Sequence, residues 1–136
     1  MAETVRIEVV AAEGIAWEGD ALSIIARTTE GDVGILPHHE PFLAALVPCV
    51  TEISTIDGKR EFVAVNEGFI SVADNRVSLL AGYARAGGAI DLQAAERELA
   101  GLEQSVDSGQ ADDDTLAKLK LAQVQVRAAH RAAEEL

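Results

Sequence analysis

A chain of 136 residues, 49% of them apolar, has material for one real core, or one compact domain with a short appendage, but not for two full enzymatic domains. Its 11 basic residues are scattered among 23 acidic ones, for a formal charge of −12. Phosphate backbones and anionic lipid are bound by clustered Lys and Arg, so no nucleic-acid partner is expected, and any membrane association is expected to run through another protein, with no direct insertion.

No stretch approaches the roughly 18 to 20 apolar residues that cross a bilayer. The opening Met1-Ala2-Glu3-Thr4 lacks the basic start and apolar run of a secretory signal, so the chain is expected to stay in the compartment where it is made. A single cysteine, Cys49, has no partner for an internal disulfide and no Cys or His at ligand spacing; it reads as a small buried hydrophobe in a reducing compartment.

Up to residue 87, short apolar runs are cut by turn residues every eight to twelve positions or so, the spacing of an all-β sandwich or barrel. Val5, Ile7 and Val9 alternate with Arg6, Glu8 and Val10 as a half-buried strand. Further strands are expected at 21–28, 33–36, 42–47, 50–56, 60–65, 69–72 and 77–84. Asp57-Gly58 is the strongest hairpin signal, since both residues tolerate positive φ; Asn66-Glu67-Gly68 and Asp74-Asn75 read as the following turns. Phe62-Val63-Ala64-Val65 and Val77-Ser78-Leu79-Leu80 do not alternate cleanly, so both faces of those strands call for cover, by the chain's own helices or by another subunit.

After Gly87-Gly88 the composition turns to Ala, Leu, Glu and Gln without Pro, which is helix chemistry. From Asp91 as N-cap, Leu92, Ala95, Leu99, Leu102 and Val106 form one apolar seam, and Ser108-Gly109 stops the helix. Asp112, Asp113, Asp114 and Thr115 open a second helix whose basic residues lie toward its C-terminal end, as the macrodipole favours. Leu116, Leu119, Leu121, Val124 and Val126 are expected to be its buried arc, the rest being Ala. The fold class is therefore α+β: an N-terminal all-β sandwich over residues 1–86 and an antiparallel two-helix hairpin over 87–136. Because Ala contributes far less on burial than Leu or Val, the net docking energy is small, and the hairpin is a candidate moving part; a permanently docked hairpin is the alternative.

Reactive constellations are scarce. His38 and His39 are adjacent and have only Glu40 nearby as a further ligand, so no metal site is expected. There is no Gly-x-Ser-x-Gly elbow, and Gly31-Asp32-Val33-Gly34 lacks the Lys-Ser/Thr ending of a phosphate loop. No catalytic residue and no cofactor is expected.

The segment Gly31-Asp32-Val33-Gly34-Ile35-Leu36-Pro37-His38-His39-Glu40-Pro41 resembles the Gly-acidic-aliphatic-Gly-Ile-Leu-Pro-x-His-x-Pro signature of ATP synthase epsilon subunits. Glu67-Gly68-Phe69-Ile70-Ser71-Val72 and Asn75-Arg76-Val77-Ser78-Leu79-Leu80-Ala81 are similar to that family's Gly-Gly-Phe strand and its Asn-x-Val-x-aliphatic-Leu-Ala strand. The resemblance implies a non-catalytic subunit of the central stalk, or rotor, of an F-type ATP synthase. Its partners would be the gamma subunit, the c ring and the alpha/beta catalytic head, and its place the cytoplasmic face of the energy-transducing membrane, peripheral through the complex. The loop presenting Asp32 and His39 would face the c ring, with His39 either helping there or fixing the loop. The hairpin would rise to block ATP hydrolysis, with Lys118, Lys120, Arg127 and Arg131 meeting acidic segments of the head.

Some relatives bind ATP through an Ile/Leu-Asp-x-x-Arg-Ala motif and further arginines. Here Ile90, Asp91, Arg127 and Arg131 match, but Ala94 and Gly101 stand at arginine positions, and Arg85 replaces an acidic residue, so weak or no ATP binding is expected. Two rival readings are a stand-alone β-sandwich ligand-binding module and a jelly-roll enzyme. The first lacks aromatics to line a groove and the second lacks clustered metal ligands.

Overall fold

The computed structural model describes residues 3–135; Met1, Ala2 and Leu136, the outer ends of the two expected domains, lie outside the described residues. Nine strands come first: β1 (Val5–Ala11), β2 (Gly14–Thr28), β3 (Gly31–Ile35), β4 (Phe42–Leu46), β5 (Cys49–Thr55), β6 (Arg60–Val65), β7 (Gly68–Ala73), β8 (Arg76–Ala81) and β9 (Ala84–Ala86). A 3₁₀ turn at Gly87–Ala89 leads into α1 (Leu92–Asp107) and α2 (Asp113–Glu134). The α+β plan, a sandwich followed by a helical hairpin, is as expected from sequence.

The sandwich closes because β2 is long enough to serve both layers. Its first half pairs with β1, from Val5 opposite Ala21 to Ala11 opposite Gly14, and its second half pairs with β3 on one side and β5 on the other. β1 also runs parallel to β8, so β4, β7, β8 and β1 make one layer, while β3, the end of β2, β5, β6 and β9 make the other. Between them lies a core of Val5, Ile7, Val9, Ile24, Ile35, Ile53, Val63, Val65, Ile70, Val72, Val77 and Leu79. The alternation of β1 places Val5, Ile7, Val9 and Ala11 inward, as a strand with one face in the core requires.

Several boundaries differ from the sequence reading. β2 begins at Gly14, not Ala21; Gly14, Glu18, Gly19 and Asp20 have weak strand propensity, and pairing with β1 overrides it. The expected strand 77–84 is two: β8 ends at Ala81, and β9 restarts after Gly82 to pair with β6. The tight two-residue hairpin is Asp74-Asn75, with φ of 52° and 59°, as a type I′ turn needs. At Asp57-Gly58 only Gly58 is left-handed, with φ of 83°, and the loop is wider: Thr55 N donates to Lys59 O at 2.8 Å.

Gly68 opens β7 where no side chain fits. A Cβ there would stand 2.7 Å from Ala81 Cα and press on the Leu80 carbonyl oxygen of the neighbouring strand. This accounts for the glycine of the Glu67-Gly68-Phe69 segment without any appeal to function.

Both helices start on aspartate caps. Asp91 Oδ1 accepts a hydrogen bond from Ala94 N at 3.1 Å, and Asp112 Oδ1 accepts one from Thr115 N at 2.8 Å. The Thr115 contact holds the Asp112 carboxyl below its ordinary range. Gly109, with φ of 97°, turns the chain after α1. His130, late in α2, comes within 3.9 Å of Glu96, early in α1, as antiparallel helices require.

The expectation of cover splits in two. On β6, Phe62, Val63, Ala64 and Val65 are all buried, because Val63 and Val65 face the core while α2 lies over the outer face. On β8 the pattern alternates after all: Val77 and Leu79 are buried, but Leu80 is 56% exposed, and the strands that α2 covers, besides packing on α1 and the 3₁₀ turn, are mainly β5 and β6. The buried arc of α2 also differs. Ala122, Val124, Ala128 and Ala129 are buried, whereas Leu119, Leu121 and Val126 are half-buried and Leu116 is exposed. The helix runs so close to the sheet that only small side chains fit beneath it: a Cβ on Gly87 would lie 2.9 Å from both Ala128 C and Ala132 Cβ.

Candidate functional site

Among the described residues no three His, Cys, Asp or Glu side chains gather as a metal cluster, so chemistry has to be sought in surfaces. Two surfaces stand out: the seam between α2 and the sandwich, and the uncovered outer face of the other layer.

The seam has a small apolar centre and a charged end. Val124 and Ala128 of α2 meet Ala64 of β6, with Val50, Tyr83 and Ile90 around them. Toward the C-terminal end, Arg131 Nη2 donates to Glu52 Oε1 at 2.7 Å while its guanidinium lies 4.4 Å from the centre of the Phe62 ring. Arg60 Nη2 donates to Glu135 Oε1 at 2.7 Å, Arg60 Nη1 lies 3.5 Å from the same Glu52 oxygen, and its guanidinium stands 5.6 Å from the Phe62 ring centre. Glu52 and Phe62 are register partners on β5 and β6, which is why one arginine reaches both.

Arg127 and Arg131 also line a cleft of about 360 Å³ with Arg27, Asp32, Cys49 and Glu52. There Arg27 Nε donates to Asp32 Oδ1 at 2.8 Å, which together with the arginine's charge holds the Asp32 carboxyl below its ordinary range. Cys49 is buried, its thiol pushed up by burial and directed at the Arg27 carbonyl, 3.9 Å away, which makes it a poor nucleophile.

Asp32 and His39 are not brought together. Asp32 sits opposite Arg27 near the β2–β3 turn, while His39 lies beyond the far end of β3, at least about 10 Å along the strand. His39 Nδ1 is 2.7 Å from the Glu40 carbonyl oxygen, and its ring meets Phe42 edge-on at 6.1 Å. Its neighbour His38 takes a left-handed φ of 64° and donates its backbone N–H to Asn75 Oδ1 at 2.8 Å. Asn75 Nδ2 donates in turn to Thr4 O at 2.9 Å, so this one amide ties the Pro37–Pro41 loop, the β7–β8 turn and the start of β1.

Lys118 pairs with Asp114 one turn earlier, at 3.1 Å, and Lys120 lines a second cleft, of about 520 Å³, with Glu67, Asn66 and Leu116. Ile90 packs into the seam, and Asp91 is occupied as the α1 cap. The hollow these two share with Tyr83, Arg85, Ala94 and Gln125 has about 160 Å³, and neither Arg127 nor Arg131 lines it. Residues sequence reasoning missed are Glu52, Arg60, Phe62, Asn75 and Glu135; their partners in the seam and the loops lie up to 79 positions away in the chain, and local pattern carries no signal for such distant contacts.

The second surface is a row of apolar side chains across the outer face of the β4–β7–β8–β1 layer. Phe69, 58% exposed, stands between Ala45 and Leu80; Leu80 is followed by Val10, and Val10 by exposed Ile15 at the start of β2. Leu43, two residues from Ala45 on the same face of β4, is exposed as well.

Comparison with known proteins places this architecture. The family described as ATP synthase, Delta/Epsilon chain, beta-sandwich domain matches residues 4–87. The ATP synthase epsilon chain of Cutibacterium acnes is 39% identical, the match covering 96% of this chain and 94% of the relative; that of Streptomyces avermitilis is 42% identical over 93% of this chain and all of the relative. In fold, the chain is similar to one in the mitochondrial ATP synthase of Euglena gracilis, with a TM-score of 0.73 at 20% identity, covering 96% of this chain and 81% of the other. With the sandwich, the hairpin and both sets of matches in agreement, the chain belongs to the family of ATP synthase epsilon chains.

Proposed function

We propose that the chain works as a non-catalytic central-stalk subunit of an F-type ATP synthase, coupling rotation of the c ring to ATP synthesis and restraining ATP hydrolysis through its C-terminal hairpin. The observation that carries this reading is the match to epsilon chains over both parts of the fold, together with a helix seated on the sheet mostly through alanines. Residues 1–86 form the anchoring domain and 87–136 the movable one. In support, the main core lies wholly within the sandwich, and the seam has its own small cluster.

The gamma subunit docks on the Phe69, Leu80 and Ile15 row, whose contiguous exposure across neighbouring strands calls for a partner. Asp32 faces the c ring, and His39 acts by fixing its loop, the role its contacts with Glu40 and Phe42 favour. When the hairpin is raised, Lys118, Lys120, Arg127 and Arg131 meet acidic surface of the alpha/beta head. Among the described residues no helix is long and apolar enough to cross a membrane. The chain is held peripherally, through the complex, at the cytoplasmic face of the energy-transducing membrane.

ATP is not a tight ligand, because the hollow beside Ile90 and Asp91 is small for a nucleotide and the two α2 arginines line a different cleft. Calorimetry is expected to show no saturable ATP binding below the millimolar range; saturation there would overturn this point. For the stalk assignment itself, the tagged chain is expected to retain gamma during purification under native conditions. Recovery of the chain alone, at full expression of gamma, would return it to the class of stand-alone binding modules.

A further inference from the structure

The contacts around Glu52 differ in kind from the rest of the seam. Only 17% of its side chain is exposed, yet it accepts from Arg131 at 2.7 Å and lies 3.5 Å from Arg60, which holds Glu135 in turn. Charges therefore alternate Arg131, Glu52, Arg60, Glu135, with both arginines against the Phe62 ring, and cross between the C-terminal end of α2 and the sandwich twice. Elsewhere the helix offers the sheet Val124 and alanines.

We propose that Glu52 and Arg131, stacked against Phe62, form a polar latch that sets the fraction of time the hairpin spends docked. Arg131 satisfies Glu52 or an acidic partner surface, not both, so any carboxylate that recruits Arg131 away from the sandwich has to displace Glu52. The latch deepens the proposed function and rests on it for its biological meaning, though not for its test. A charge-assisted hydrogen bond of this kind shifts an equilibrium by about tenfold, and a partly buried guanidinium loses its planar stacking when replaced by Lys. Because the pair is not fully enclosed, salt weakens it.

Amide exchange along α2 of the full isolated chain reads the docked fraction directly. Glu52→Gln and Arg131→Gln are each expected to speed α2 exchange by about tenfold while leaving the β1, β7 and β8 amides unchanged. The double variant is expected to match either single one, and 1 M salt to speed exchange more in the wild type than in Glu52→Gln, where only the Arg60–Glu135 crossing is left to screen. Arg131→Lys should fall between wild type and Arg131→Gln. Unchanged α2 exchange in both single variants, or fully additive effects in the double variant, would overturn the latch. If exchange responds as expected but ATP hydrolysis by the assembled complex does not, the latch stands and the hairpin's proposed role in hydrolysis falls.

Discussion

Ala128→Glu is expected to free the hairpin from the sandwich while the sandwich stays folded. Ala128 is fully buried between Ala64 and Gly87, and a glutamate there has no cation within the apolar centre of the seam to pair with. Burying an unpaired carboxylate costs several kcal/mol. Against that, burial of Val124 contributes about 1.5 to 3 kcal/mol and each alanine methyl about 0.8 kcal/mol, before side-chain ordering is subtracted. The penalty exceeds the docking energy but does not touch the sandwich core, which lies on the other side of β6. Amide exchange is expected to rise by tenfold or more across α2 and at Phe62 and Ala64, with β1, β7 and β8 protected as before. Global unfolding of the variant would show instead that sandwich and hairpin are one cooperative unit.

The second large effect belongs to the opposite face. Phe69→Asp combined with Leu80→Asp places two charges in the middle of the exposed apolar row. Both side chains already face solvent, so the fold should lose little; an interface that buries them would lose much. Aromatic anchors at interface centres each contribute about 2 kcal/mol or more, and every 1.4 kcal/mol is tenfold in affinity, so binding to gamma is expected to weaken by at least about a hundredfold. Charged substitutions at Ile56, exposed at the β5–β6 turn away from this row, should leave binding as it was. Undiminished affinity in the double variant would remove this face from the account and leave gamma to dock elsewhere.

Much of this architecture was legible in the chain because its signals are local. Alternation along Val5–Val9, the aspartates ahead of both helices and the Ser108-Gly109 stop are each decided within a few residues. The first half of β2 was not legible, since Gly14–Asp20 becomes a strand only by lying against β1. The same holds for α2: leucine counts as the best buried residue in any local reading, but the close approach of Gly87 to Ala128 and Ala132 reserves that part of the interface for alanines, while Leu116, near the start of the helix, is exposed. At the candidate site, Arg131 was visible as a cation one turn after Arg127, whereas its partner Glu52 is 79 residues earlier and looked like any other solvated strand carboxylate. Asn75 announced a turn and gave no hint that its amide ties three segments together.

Arg131 also changes meaning between sequence and structure. By resemblance it is a residue for the catalytic head, yet in the docked hairpin it is spent on Glu52 and Phe62. Under the proposed function the two roles exclude each other in time, which is what a conformational restraint needs: the contacts of one state are drawn from those of the other.

The most direct test of the account is the ATP hydrolysis rate of the assembled synthase carrying the full chain, set against the same complex carrying residues 1–88 alone. If the sandwich anchors the subunit and the hairpin restrains the motor, the truncated chain remains bound at full stoichiometry and hydrolysis rises above that of the complex with the full chain. An unchanged rate with the truncated chain fully retained would contradict the account.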